Sequence, residues 1–215
     1  MKSETPEERK KRGAAILKRL KRAYPNATTA LNWSNPLELL VATVLSAQCT
    51  DEKVNQVTTT LFWKYRTAQD YARASQATFE QEIRSTGFFR NKARSIIALA
   101  QQIAAEHCGQ VPADMEALTS LPGVARKTAN VVLGTAFGIS SGVVVDTHVA
   151  RLSHRLGLTT QKAAEKIEND LMALFPKKDW VVLGHSLILH GRAICTARKP
   201  LCDQCPVSDL CPKIM

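Results

Sequence analysis

The chain has 215 residues and a mass of 23.6 kDa, with 45% apolar and 22% charged residues. That is enough to bury one good core or two small ones, and too apolar for a disordered chain. Lys and Arg number 29 against 19 Asp and Glu, a formal charge of +10, which favours a polyanionic partner over an acidic or neutral one. No apolar run is long enough to cross a bilayer, so no membrane partner is expected.

The stretch 1–20 is charged, carries Glu4, Glu7 and Glu8 among its bases, and has no uninterrupted apolar segment, unlike a secretory or organelle leader. A reducing cytoplasm is the expected compartment. Thr5-Pro6-Glu7-Glu8 reads as a helix start, with Thr5 as cap, proline in the first turn and Glu8 three residues after the cap. Ile16, Leu17, Leu20 and Tyr24 then share one face. Asn35-Pro36 opens a second helix, in which Leu37, Leu40, Val41, Val44 and Leu45 follow helical spacing. The same period recurs at Val54/Val57/Leu61, Ile96/Ala100/Ile103, Val149/Leu152/Leu156 and Ile167/Leu171/Leu174, and again over 180–189. The protein is therefore expected to be almost all helical, with Val143-Val144-Val145 an extended connector and 139–142 the best candidate joint between domains.

The segment LPGVARKTANVV (121–132) reads as a tight hairpin feeding a helix, because Pro122-Gly123 is a strong turn signal and 126–137 carries helix formers with apolar spacing. Lys127 therefore stands at a helix N-terminus. Free amide N–H groups there can hold a phosphate, and the positive end of the helix dipole disfavours an ammonium. One short stretch thus offers a grip on a nucleic-acid backbone beside a candidate nucleophile. Asp146, in VDTH (145–148), is placed to cap the next helix, a role compatible with catalysis; His148 is expected to be a framework residue.

Four of the six cysteines crowd the C-terminal end as C-x6-C-x2-C-x5-C: Cys195, Cys202, Cys205 and Cys211. Four thiols within seventeen residues and no secretory signal point to a metal centre and away from disulfides. The spacing alone leaves zinc and an iron–sulfur cluster both open, since each takes four thiolates. Cys49 and Cys108 sit within helical patterns and are expected to be packing residues. No H-E-x-x-H, Walker loop, nucleophile elbow or G-x-G-x-x-G occurs, so nucleotide hydrolysis and dehydrogenase chemistry lose their usual support.

Taken together, LSAQCTD (45–51), TGFFRNKA (86–93), LPGVARKTAN (121–130), VDTH (145–148), LHGR (189–192) and the cysteine tail make the chain resemble the endonuclease III family of helix-hairpin-helix DNA glycosylases. The likeness spans about 37–211, and the joint occurrence of these motifs is highly specific. It implies an all-α fold: a six-helix barrel domain over 29–139 with its helix-hairpin-helix at about 114–137, an iron–sulfur domain from 1–28 together with 140–215, and a cleft between them. It further implies that the four terminal cysteines ligate a [4Fe-4S] cluster.

The resemblance implies a bifunctional glycosylase and AP lyase that excises oxidised pyrimidines from damaged double-stranded DNA, acting as a monomer and nucleoid-associated if bacterial. Lys127 would attack C1′ of an extruded nucleotide and form a Schiff base, and Asp146 would accept its proton and stabilise positive charge on the sugar. Gln48 matches the residue that fills the vacated gap and Phe88 the wedge in the opposite strand. Gly123, Ala125, Arg126, Thr128 and Arg192, with Arg198 and Lys199, would meet the DNA backbone. Thymine-mismatch and pyrimidine-dimer glycosylases share much of this motif set, and a non-enzymatic DNA-binding module is the alternative of another class; retention of both Lys127 and Asp146 argues against the module. Two departures matter. Ala125 replaces the hairpin's usual second glycine, so a strain of about 1–2 kcal/mol is expected if that position needs positive φ. Phe88 stands where the family commonly has leucine, a bulkier wedge.

Overall fold

The computed structural model describes residues 4–214. The first three residues of the expected 1–28 segment and the last of 140–215 lie outside it. Among the described residues there are eleven α-helices, a few short 3-10 turns and no strand. The expected helix starts form as the cap chemistry dictates. α1 (Pro6–Ala23) opens on a complete capping box between Thr5 and Glu8, and α2 (Pro36–Leu45) on Asn35, whose side chain accepts from the Glu38 N–H. α3 (Asp51–Lys64) follows, then the short α4 (Ala68–Ala72) and α5 (Gln76–Glu82), the long α6 (Phe89–Glu106), and the hairpin pair α7 (Met115–Ser120) and α8 (Arg126–Ala136). After the connector, which carries no regular secondary structure, come α9 (Thr147–Arg155), α10 (Ala164–Leu174) and α11 (Trp180–Ala193).

The chain divides into two compact units, Ala30–Ser141 and Met1–Thr29 with Gly142–Met215. In the first, α2 packs on α3, α6 and α8, α4 and α5 on α6, and α7 on α8. Leu39, Leu40, Leu45, Phe79, Ile96, Leu99, Ile103, Leu118 and Val132 form its core. Mean apolarity is unusually high along α2, seven of whose ten residues are buried, because it lies at the centre of this unit and not at its surface. In the second unit α1 packs on α10 and α11, and α9 on α10 and α11, around Ile16, Leu20, Val149, Leu152, Ile167, Leu171, Leu183 and Leu187. Val207 is carried by the cysteine tail and is fully buried in the same core, so the tail is part of this unit's packing.

The two remaining cysteines correct an expectation in part: Cys49 packs against the core of the first unit, as expected, but neither residue lies in a helix. Cys49 lies in the loop after α2, and Cys108 is exposed in the turn after α6 with φ of +52°. Neither is helical, because both patterns end a residue or more before them.

Candidate functional site

The hairpin in Ala30–Ser141 is shaped by Gly123. Its φ is +78°, and a Cβ built there would lie 2.6 Å from Ser95 Cβ on α6. Only glycine satisfies both the left-handed backbone and this close approach. Gly123→Ala is therefore expected to cost about 2–5 kcal/mol, part from the backbone and part from crowding against Ser95. A urea midpoint lowered at unchanged slope checks it.

Ala125, two residues on, has φ of −85° and ψ of 165°, an extended conformation open to any residue. The strain envisaged for a missing second glycine is absent, because the hairpin turns at Gly123 and is already extended at the helix cap. α8 opens on this alanine, which has no side chain able to cap the helix start. Arg126 and Lys127 are the first two residues of α8, both exposed, and Thr128 is half-buried behind them. The Lys127 side chain makes no hydrogen bond or ion pair with any described residue.

Gln48, Phe88, Gly123 and Thr128 line one open depression of about 250 Å³, together with Thr43, Asn91, Lys92 and Ser95. Two of them have unusual backbones. Gln48 has φ of +54° and Phe88 of +46°, left-handed conformations that cost a residue with a Cβ about 1–2 kcal/mol. Such strain persists only where surrounding structure imposes it. Phe88 is also 64% exposed, which for a phenylalanine leaves a large apolar surface in water at the mouth of this depression.

Lys92 was not singled out from the sequence. It is buried, and its Nζ donates to Leu45 O at 2.8 Å and to Thr86 O at 2.7 Å. Burial pushes its ammonium down from the usual lysine range. The signal was present in the pattern, since Phe89, Lys92, Ala93, Ile96, Leu99 and Ile103 form one helical stripe and the lysine falls on its apolar side.

In the other unit, Asp146 caps α9. Its Oδ1 accepts from the His148 and Val149 N–H groups, both at 2.8 Å, and the carboxylate is half-buried. His148 is a framework residue, as expected. Its Nδ1 lies 3.2 Å from Arg151 Nη2, and its ring sits close against Gly191 of α11. Arg192, Arg198 and Lys199 are exposed at and after the end of α11.

Cys195, Cys202, Cys205 and Cys211 line one cavity of about 60 Å³, walled by Leu152, Leu156, Ile194 and Leu201. Among the described residues, no three His, Cys, Asp or Glu side chains are drawn together as a single metal ion requires. Four thiols around an apolar space are the donor set that an iron–sulfur cluster takes. Burial, and repulsion from the other cysteines, push the Cys205 and Cys211 thiols up.

Basic residues hold the loop around this cavity. Arg151 donates to Gly191 O and Cys195 O, Arg155 to Thr196 O and Ala197 O, and Arg12 to Gly157 O and Leu210 O. Arg155 Nη1 also reaches Cys195 Sγ at 3.4 Å. Part of the positive charge that suggested a polyanion is thus spent inside the protein on backbone carbonyls. His190, buried with its pKa pushed down to about 4 by desolvation, lies 3.0 Å from the Tyr24 hydroxyl and 3.4 Å from Cys205 Sγ. A neutral imidazole suits this place, taking the tyrosine proton on Nδ1 and donating to sulfur from Nε2. No sequence period marked this residue as a neighbour of the cysteines.

An all-helical chain with a glycine hairpin, an uncapped helix start behind it and a four-thiol apolar cavity is a helix-hairpin-helix protein with an iron–sulfur centre. Residues 41–177 match the HhH-GPD superfamily of base excision DNA repair proteins, and 195–211 match the iron–sulfur binding domain of endonuclease III. The chain belongs to the endonuclease III family, and is a DNA glycosylase and AP lyase of base excision repair with a [4Fe-4S] cofactor. It is 54% identical to endonuclease III of Synechocystis over 95% of this chain and 93% of that one. A solved structure of a trapped endonuclease III–DNA covalent intermediate, an estranged-adenine complex, is 44% identical, with a TM-score of 0.90 over 95% of this chain and 96% of that one. A non-covalent endonuclease III–DNA complex is 45% identical, with a TM-score of 0.90 over 95% of each chain. No helix among the described residues is long and apolar enough to cross a membrane.

Proposed function

We propose that this protein excises oxidised pyrimidines from duplex DNA and then cuts the strand, with Lys127 as nucleophile. The observation that carries the reading is the position of this amine, second in α8 and exposed, at a helix start that opens on alanine directly after the Gly123 turn. A phosphate held at that helix start brings the sugar of the adjoining nucleotide to the lysine. The amine attacks C1′ and the glycosidic bond breaks, its electron pair leaving with the base. Nitrogen gives up a proton to the Asp146 carboxylate. The sugar ring opens as O4′ takes a proton, leaving a Schiff base; loss of a C2′ proton then expels the 3′ phosphate. Asp146 also stabilises the positive charge that develops on the sugar.

Gln48 fills the space of the extruded nucleotide and Phe88 wedges the opposite strand, which their shared depression and strained, outward-held backbones support. Gly123, Ala125, Arg126, Thr128, Arg192, Arg198 and Lys199 meet the phosphates. Cys195, Cys202, Cys205 and Cys211 would hold the cluster through their thiolates. A bound cluster would cross-link the tail; Arg151 and Arg155 fix the loop through its carbonyls, and Arg155 and His190 reach the sulfurs of Cys195 and Cys205. The enzyme acts in the cytoplasm, on the nucleoid if the source is bacterial.

Incubation with duplex DNA carrying thymine glycol should release the base and cut 3′ to the lesion, whereas a thymine mispaired with guanine in otherwise intact DNA should stay whole. Preference for the mispair would turn the reading toward a mismatch glycosylase. In the same assay Asp146→Asn separates cap from catalyst. Asparagine caps a helix as well as aspartate, so stability should hold within about 0.5 kcal/mol. Loss of the carboxylate should slow excision by about 10²–10⁴-fold.

A further inference from the structure

We infer that Lys92 is a positioning residue for base extrusion, whose buried ammonium ties the loop bearing Gln48 to the loop bearing Phe88 and holds the two side chains in one register. The inference rests on the gap-filling and wedge roles proposed for those residues.

Leu45 is the last residue of α2 and stands three positions before Gln48; Thr86 ends a 3-10 turn two positions before Phe88. Lys92 Nζ bonds both carbonyls, at 2.8 and 2.7 Å, and the Lys92 backbone N–H bonds Phe88 O at 3.1 Å. One residue therefore touches the base of each loop and the wedge residue itself. Neither loop is held by its own preferences, since Gln48 and Phe88 both occupy the left-handed region. A tertiary clamp is what such conformations require.

The choice of residue is informative. The site is an apolar stripe of α6, where leucine or methionine would pack without burying a charge, and a buried ammonium is favourable only while its hydrogen bonds are made. α2 has no basic residue in its last turn, so this ammonium also supplies the positive charge that its C-terminal carbonyls favour. Any shift of one loop is felt by the other through a single atom. One turn along α6, Ser95 fits against Gly123, so the same helix registers the hairpin as well.

The test compares the full-length, cluster-loaded protein with Lys92→Met, which keeps the straight apolar chain and removes both donors. Duplex DNA carries thymine glycol opposite 2-aminopurine, whose fluorescence rises when it is unstacked. Lys92→Met should reduce that rise by more than half and slow single-turnover excision about 10- to 100-fold. Borohydride trapping on single-stranded abasic DNA, which needs no extrusion from a duplex, should change by less than about threefold. In a Gln48→Ala/Phe88→Ala background, Lys92→Met should add less than about twofold, because the groups it positions are gone.

Equal losses on single- and double-stranded substrates, or a full multiplicative loss in the double-variant background, would reduce Lys92 to general packing and overturn the inference. If Gln48→Ala and Phe88→Ala alone leave the fluorescence rise intact, the reading beneath the inference fails and takes the inference with it. Should Lys92→Met not fold, Lys92→Gln is read by the same criteria, since its shorter amide cannot span both carbonyls.

Discussion

Replacing Lys127 with alanine is expected to abolish the covalent protein–DNA adduct that borohydride captures on thymine glycol or abasic DNA, and to slow strand cutting by at least about 10³-fold. The size follows from the chemistry. A Schiff base needs a primary amine on C1′, and no second step of the lyase reaction exists without it. Loss of a nucleophile costs far more than loss of a neighbouring contact because the members of a catalytic set act as a unit. DNA affinity should change little, since Gly123 and the uncapped start of α8 do not depend on the lysine side chain. Binding measured at two salt concentrations, alongside trapping, separates the two contributions. An adduct that survives in Lys127→Ala would move the nucleophile to another amine and leave the hairpin with binding alone.

Cys205→Ser should empty the tail of iron. The native protein should be yellow-brown with about four irons and four sulfides per chain, and the variant should retain less than about one of each. Val207, two residues from Cys205, is fully buried in the core with Leu152, Leu183 and Leu187. Loss of the cluster therefore loosens packing as well as the loop. A cost of at least about 3 kcal/mol translates into a fall in Tm of about 6–12 °C. Helical circular dichroism should persist, because α1, α9 and α11 bury their own apolar faces. Cys49→Ser and Cys108→Ser are the controls and should leave iron content unchanged. Colourless, zinc-loaded native protein would overturn the cluster assignment.

Much of the local structure was legible because it is written in short-range chemistry. Thr5 with Glu8, Asn35 ahead of Pro36 and Asp146 ahead of α9 each satisfy orphan N–H groups within a few residues, so the caps form where the sequence puts them. Gly123 could be read as a turn, yet its contact with Ser95 could not, since 28 positions separate them. Ala125 shows the opposite error. The family pattern suggested a strained second turn, and the backbone is simply extended there.

The cysteine tail was legible as four thiols in a short span, but its spacing alone did not separate zinc from a cluster. That all four thiols line one small apolar cavity is a property of the folded loop. His190 and Arg155 could not be paired with the cysteines from the sequence, because helical period says which face a residue occupies and not what packs on it.

Sequence by itself determined the all-helical class, the helix starts, the hairpin with its lysine and the four-thiol tail. These depend on capping, turn and donor chemistry acting over a few residues. Only the tertiary structure decided that Lys92, a basic residue on an apolar stripe, bridges the Leu45 and Thr86 carbonyls, and that Gln48 and Phe88 are held left-handed beside one depression. The reason is physical: a buried ammonium is favourable only where distant carbonyls converge on it, and that convergence exists once the helices have packed.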